Sequence, residues 1–163
     1  MGNKFHEESK VSSLASIEVS TVGTDTIIGS HSVVDDFVKI KHVGGKGSIV
    51  IGKSVFINSG CVLYSGNGIV IGDNVLIGPN CSITPVNHAY KNKNKIIKEQ
   101  GFLKSKGGII IEDDVWIGSN VVLLDGAIIR QGAVIGANSL VQSEVKAYTI
   151  NYGSPCQCVG YRD

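Results

Sequence analysis

The sequence predicts an all-β fold: short parallel strands coiled into a triangular prism, with one long loop pushed out of it. Three observations predict this. First, Ile111, Ile117, Leu123, Ile129, Ile135 and Val141 stand six apart without a gap. Second, a small or medium residue follows each of them by four positions: Val115, Val121, Ala127, Ala133, Ser139 and Val145. Third, glycine supplies 21 of 163 residues while charged residues make up only 18%. That composition suits frequent tight turns and few solvated faces. A period of six is neither the 3.6 of a helix nor the 2 of a flat strand. It fits a short strand plus a turn, three to a rung, each rung of about 18 residues lying about 4.8 Å above the last.

The elements follow in chain order. Residues 1–20 are polar and read as an N-terminal extension. The coil is expected over 21–150, opening with Val22, Ile28 and Val34. It continues through Ile51, Ile57 and Leu63, then through Ile71, Ile77 and Ile83. Glycine directly follows the aliphatic residue at Gly23, Gly29, Gly52, Gly72, Gly78, Gly118 and Gly136, as corners with φ > 0 or close backbone approach require. Three interruptions separate the sets: a Gly-rich insert over Lys41–Val50, a two-residue addition at Gly66-Asn67-Gly68, and a long basic loop over 87–110. About five rungs result, and 151–163 form a C-terminal segment. The period alone does not set the handedness.

Composition excludes several functions. A hydrophobic content of 42% with a net charge of +1 is the opposite of a disordered chain. Lysine and arginine total 15 against 14 acids, so there is no electrostatic footprint of nucleic-acid binding. No run approaches the roughly 18 apolar residues of a membrane span. Met1–Lys10 is polar with no apolar stretch behind it, so no signal peptide is expected and the cytoplasm is the expected location. Cys61 and Cys81 fall at inward small positions and read as core packing. Cys156 and Cys158 are too isolated for a metal site, and no two histidines stand at His-x4-His spacing, so no metal is expected.

The hexads Ile71-Gly72-Asp73-Asn74-Val75-Leu76, Ile77-Gly78-Pro79-Asn80-Cys81, Ile111-Glu112-Asp113-Asp114-Val115-Trp116-Ile117-Gly118 and Val134-Ile135-Gly136-Ala137-Asn138-Ser139 resemble those of the left-handed β-helix acyltransferases. The likeness runs over Val22–Val159. It points to the branch holding the galactoside and maltose acetyltransferases and the O-acetyltransferases of capsule and O-antigen sugars. The helical N-terminal segment of the maltose-type enzymes has no counterpart in Met1–Ser20. The resemblance implies a left-handed parallel β-helix, a homotrimer with sites between subunits, acetyl-CoA as acyl donor, and a sugar or polysaccharide acceptor.

His88 opens the long loop in Thr84-Pro85-Val86-Asn87-His88-Ala89-Tyr90, where the hexads break. The resemblance implies a catalytic base there. The chemistry agrees, because acyl transfer to a hydroxyl needs that proton removed, and a neutral imidazole can accept it. Asn58 matches a substrate-contacting Asn of the galactoside-type branch, and its amide suits a sugar hydroxyl or an oxyanion; a corner Asn is the plainer reading. Trp116, the only Trp, faces outward and matches an aromatic beside the family's site. It could stack on a ligand, pack against another subunit, or both.

The resemblance places the pantetheine arm of CoA along backbone near Ser119 and Ala137, though both also satisfy the hexad rule. The family commonly has a Lys in a Val-Thr-Lys-Asp segment after the last hexad, and cations after the closing Gly-x-Pro. Here those places hold Ser143, Gln157 and Gly160, which leaves Lys146 and Arg162 as the nearby cations to meet the CoA phosphates. The loop itself carries Lys91, Lys93, Lys95, Lys98, Lys104 and Lys106 against Glu99, with Ile96, Ile97, Phe102 and Leu103 as apolar anchors. It reads as a lid for an anionic acceptor or the CoA phosphates, or as a solvated charge run.

Three functions fit the sequence. One is an acetyl-CoA-dependent O-acetyltransferase acting on a cell-envelope sugar or polysaccharide, with His88 as base and direct attack in a ternary complex. Another is an acetyltransferase for another small molecule, such as an amino-sugar nitrogen or an antibiotic hydroxyl. The last is a non-catalytic β-helix scaffold.

Overall fold

The computed structural model describes residues 2–163. Strands of two to four residues wind into successive coils. The first coil is β1 (Lys4–Phe5), β2 (Lys10–Val11) and β3 (Ser16–Ile17). The second is β4 (Thr26–Ile28), β5 (Val33–Val34) and β6 (Lys39–Lys41), and the third β7 (Ile49–Ile51), β8 (Phe56–Ile57) and β9 (Val62–Tyr64). The fourth is β10 (Ile69–Ile71), β11 (Leu76–Ile77) and β12 (Ser82–Thr84); the long loop follows it. The fifth is β13 (Ile109–Ile111), β14 (Trp116–Ile117) and β15 (Val122–Leu124), and the sixth β16 (Ile128–Ile129), β17 (Val134–Ile135) and β18 (Leu140–Val141). A partial seventh holds β19 (Glu144–Val145) and β20 (Thr149–Tyr152), and β21 (Gln157–Tyr161) closes the chain.

Every third strand stacks on one face. The first face runs β1-β4-β7-β10-β13-β16-β19, the second β2-β5-β8-β11-β14-β17-β20-β21, and the third β3-β6-β9-β12-β15-β18. All pairings named are parallel except β20 with β21. Among the described residues no helix is long and apolar enough to cross a membrane. The fold is the all-β left-handed parallel β-helix that the hexads imply.

Register explains the period. Ile51, Ile71, Ile111 and Ile129 stand directly above one another on the first face. Ile57, Ile77, Ile117 and Ile135 do so on the second, and Leu63, Ile83, Leu123 and Val141 on the third. Each is at most 2% exposed. A fully buried aliphatic side chain of this size contributes about 1.5–3 kcal/mol. The prism is narrow, so the position four later must be small: Val115, Val121, Ala127 and Ala133 are buried there, as are Cys61 and Cys81. The neighbouring Cys81 side chain and burial push the Cys61 thiol up, which keeps it protonated and unreactive.

The corners divide the roles assigned to glycine. The residue three after most ladder positions carries positive φ, as at Asn74, Asn80, Asn120 and Asn138. Asn and Asp tolerate that conformation better than other residues with a Cβ. The glycine directly after the ladder residue serves close approach instead. A Cβ on Gly118 would lie 2.7 Å from the Ala137 amide nitrogen of the next coil, and Gly118 N–H donates to Ile135 O at 2.7 Å.

Three expectations move. The coil begins at Lys4, not at residue 21, because β1, β2 and β3 pair in register with β4, β5 and β6. It is therefore nearly seven coils and not five. Val22 is 46% exposed and lies outside the ladders, which run from Ile28 through Val34 to Ile40. Residues 151–163 are also not wholly separate, since Asn151 pairs with Ile135 and is buried at the end of the second-face ladder.

Candidate active site

The corner between the second and third faces carries a groove of about 410 Å³. Its floor is the glycine ladder Gly78, Gly118 and Gly136, where the missing side chains bare the backbone. Asn58, Trp116, Ser119 and Ala137, which the sequence singles out separately, all line this one groove. Trp116 projects from β14, stacked in register between Leu76 and Val134, and is 55% exposed. Asn58 Oδ1 accepts from Ser59 N–H at 3.1 Å, so the amide NH2 is the group left to donate. Tyr152, half exposed, forms part of the wall. Sequence reasoning missed it, because its strand begins beyond the last regular hexad.

His88 lies elsewhere. It lines a separate depression of about 510 Å³ with Tyr90, Ile97, Lys106, Asp125 and Gln142. Within one chain the groove and this depression share no residue.

The long loop is an ordered structure. His88 pairs with Phe102 across an antiparallel bridge. Ala89 N–H donates to Gly101 O at 2.9 Å and Leu103 N–H to Asn87 O at 2.8 Å. The His88 and Phe102 ring centres are 4.8 Å apart. At the tip Gln100 Nε2 donates to Lys95 O at 2.8 Å and to Asn92 O at 3.0 Å, around a short 3-10 turn at Ile97–Glu99. At the entry Asn67 Nδ2 donates to Pro85 O at 2.8 Å. At the exit Asp125 accepts from Lys106 N–H at 2.8 Å and from Gly108 N–H at 2.9 Å.

Asp125 is 4% exposed, and it is the residue that sequence reasoning missed with most effect. It stands two positions after Leu123, on the corner that also holds His42 and Ser65. A carboxylate at an inward position must find donors. Its spacing was the signal, and here the donors are the two backbone amides that fix the loop.

Lys146 and Arg162 are not brought to the groove. Arg162 Nη1 donates to Asp114 Oδ2 at 2.9 Å and to Gly132 O at 2.9 Å, on the opposite side of Trp116. Lys146 lines a depression of about 240 Å³ at the open C-terminal end of the prism. The chain's last strand turns back antiparallel, which carries Arg162 away from Ser119 and Ala137, whereas Lys146 stands at the turn between β19 and β20.

Residues 108–143 match the bacterial transferase hexapeptide family of six repeats, and residues 48–85 the hexapeptide repeat of succinyl-transferase. SACOL2570 of Staphylococcus aureus (strain COL), inferred to be an acetyltransferase, is 37% identical over 112 residues, which cover 69% of this chain and 54% of that protein. The chain thus spans about half the length of the curated relatives it matches. The Bacillus cereus N-acyltransferase AntD, solved with dTDP-4-amino-4,6-dideoxyglucose and coenzyme A, superposes with a TM-score of 0.83 at 23% identity, over 99% of this chain and 84% of that one. The hexapeptide-repeat acetyltransferase VCA0836 of Vibrio cholerae, complexed with acetyl coenzyme A, superposes with a TM-score of 0.63 at 26% identity, over 99% and 72%. Repeats, register and these likenesses place the chain among the hexapeptide-repeat proteins with the left-handed β-helix fold of the acetyltransferases it resembles.

Proposed function

We propose that the chain is an acetyl-CoA-dependent acetyltransferase that acylates a hydroxyl of a cell-envelope sugar or polysaccharide, with His88 as general base. The observation that carries this reading is the convergence of Asn58, Trp116, Ser119 and Ala137 on one glycine-floored groove. A bare backbone corner admits the pantetheine arm closely and offers amides to it. VCA0836, with the same fold, is solved with acetyl coenzyme A.

The groove and His88 lie apart in one chain, so a working site takes the groove of one copy and the loop of the next. A homotrimer of side-by-side prisms around a shared three-fold axis supplies three such sites. The loop's exposed Ile96, Ile97 and Leu103 and the outward Leu76 and Trp116 are suitable surfaces for that contact.

The reaction needs no covalent enzyme intermediate. His88 takes the proton from the acceptor hydroxyl as its oxygen attacks the thioester carbonyl carbon. The C–O bond forms, the tetrahedral oxyanion accepts a hydrogen bond from a corner amide, and the C–S bond breaks. The proton held by His88 then passes to the departing CoA sulfur.

A second reading is transfer to an amino-sugar nitrogen, favoured by the bound aminosugar nucleotide of AntD. An acceptor panel with mass analysis of the product separates ester from amide. Thiol release from acetyl-CoA in the presence of acceptor is expected for the wild type, and its absence with every acceptor, together with no CoA binding, would leave a scaffold.

A further inference from the structure

The loop is the most strongly charged part of the molecule. Residues 87–110 hold six lysines against one glutamate, a net charge of +5, so the rest of this +1 chain sums to −4. All six lysines are exposed. Among the described residues none has a carboxylate within 4.0 Å, whereas Lys4, Arg130 and Arg162 are each paired with one.

Like charges held this close repel, and an unconstrained segment of that composition would spread to lower its energy. This one is drawn together by the Gln100 hydrogen bonds at its tip and by Asp125 at its base. The two limbs also pair across His88 and Phe102. The structure therefore concentrates positive charge where the sequence could have dispersed it. Lys106 lines the same depression as His88, beside Tyr90 and Ile97, which offer an apolar ring and side chain next to the charge.

We infer that this loop binds a phosphoester or pyrophosphate group and holds it beside His88. The inference rests on the proposed acetyl transfer, which gives that chemistry two sources. One is the nucleotide end of CoA, for which Lys146 and Arg162 are not positioned. The other is a phosphorylated acceptor, such as a sugar phosphate or a nucleoside diphosphate sugar. Charge so arranged raises the local concentration of the anion and makes its binding depend on salt over a screening length of about 8 Å at physiological ionic strength.

The test uses the full chain with Lys91, Lys93, Lys95 and Lys98 all changed to Gln, and a second variant with the same four changed to Arg. Calorimetric titrations with CoA, 3′-dephospho-CoA, inorganic pyrophosphate and UDP-glucose are compared at low and high salt. The Gln variant should bind at least one probe about tenfold or more weakly, while the Arg variant stays near wild type. A loss confined to CoA and absent with dephospho-CoA identifies the donor as the source. A loss with UDP-glucose that leaves CoA unaffected identifies the acceptor, and a loss shared by CoA, dephospho-CoA and pyrophosphate but not UDP-glucose identifies the CoA pyrophosphate. Equal affinities of the Gln variant and the wild type for every probe would overturn the inference, as would a wild type that binds none of them. The underlying reading is checked separately by Ala137→Trp, which should abolish CoA binding by filling the groove. CoA binding that survives Ala137→Trp counts against that reading and leaves the lysine result to stand alone.

Discussion

The coil and the loop are built by opposite means. In the coil, position is set by burial that repeats every six residues, and a ladder residue inside the stack is supported by aliphatic neighbours above and below. In the loop nothing repeats. Its course depends on a few single contacts: Asn67 at the entry, the His88–Phe102 bridge in the middle, Gln100 at the tip and Asp125 at the exit. The repetitive core gives the stability and carries the groove on its surface, while in the proposed reaction the irregular excursion supplies the base and adds little stability. Changes in the two regions should therefore be separable.

The largest expected effect lies on the chemical side. His88→Ala should lower turnover by about 10²–10⁴, with an unchanged melting temperature, because the side chain lies outside the core. Next is the opposite case. Ile117→Ala leaves the loop untouched but opens a void in the second-face ladder, where the side chain is fully buried. A loss of about 2–5 kcal/mol is expected in denaturant unfolding, with turnover per folded molecule preserved. Were either variant to lose both properties, the separation of the two regions would fail.

Asp125 joins the regions and sharpens the comparison. Asp125→Ala leaves the Lys106 and Gly108 amides without their acceptor, at a cost of about 1–3 kcal/mol. Turnover should fall as well, because the loop exit is released, whereas hydrogen exchange should speed up in the loop and not in the ladders. Uniform exchange throughout would show that Asp125 supports only the coil.

The smallest effect concerns the other end of the prism. His42 is 5% exposed, with Thr24 Oγ1 2.6 Å from its Nδ1 and Thr26 Oγ1 3.0 Å from its Nε2. Burial pushes its pKa below the ordinary imidazole range, against opposing pulls from Glu18 and Asp25. The unfolded chain then binds this proton more readily than the folded one. The stability tied to neutral His42 is complete above the unfolded pKa of about 6.5 and is lost as pH falls through the folded value. Melting temperature should decline over that window in the wild type and less in His42→Gln. Turnover measured well below the melting temperature should not follow the same curve.

The legibility of the sequence divides along the same line. The ladders from Ile51 onward were readable because a period of six admits no other arrangement of buried aliphatics. The first coil was equally periodic, with Phe5, Val11 and Ile17 six apart. Its strands sit at the open end and keep exposed, polar neighbours, so composition hid a true signal. The groove residues were legible one by one, since each departs from or decorates a hexad. Their meeting was not, because it depends on which corner of a three-sided prism each hexad reaches. The position of Arg162 away from the groove is illegible for a related reason: nearness in sequence to the last coil says nothing about the direction of a returning antiparallel strand. Asp125 could be recognised only by asking what an inward carboxylate would bind.

The central claim is that one copy's loop completes another copy's groove. It is tested most directly by co-expressing two inactive chains, His88→Ala with an intact groove and Ala137→Trp with an intact His88. Random assembly should restore activity at about a quarter of the sites, where a copy with His88 meets a copy with an open groove. Activity that stays at the level of the separate variants, in oligomers shown to be mixed, would contradict the claim and place the whole site within one chain.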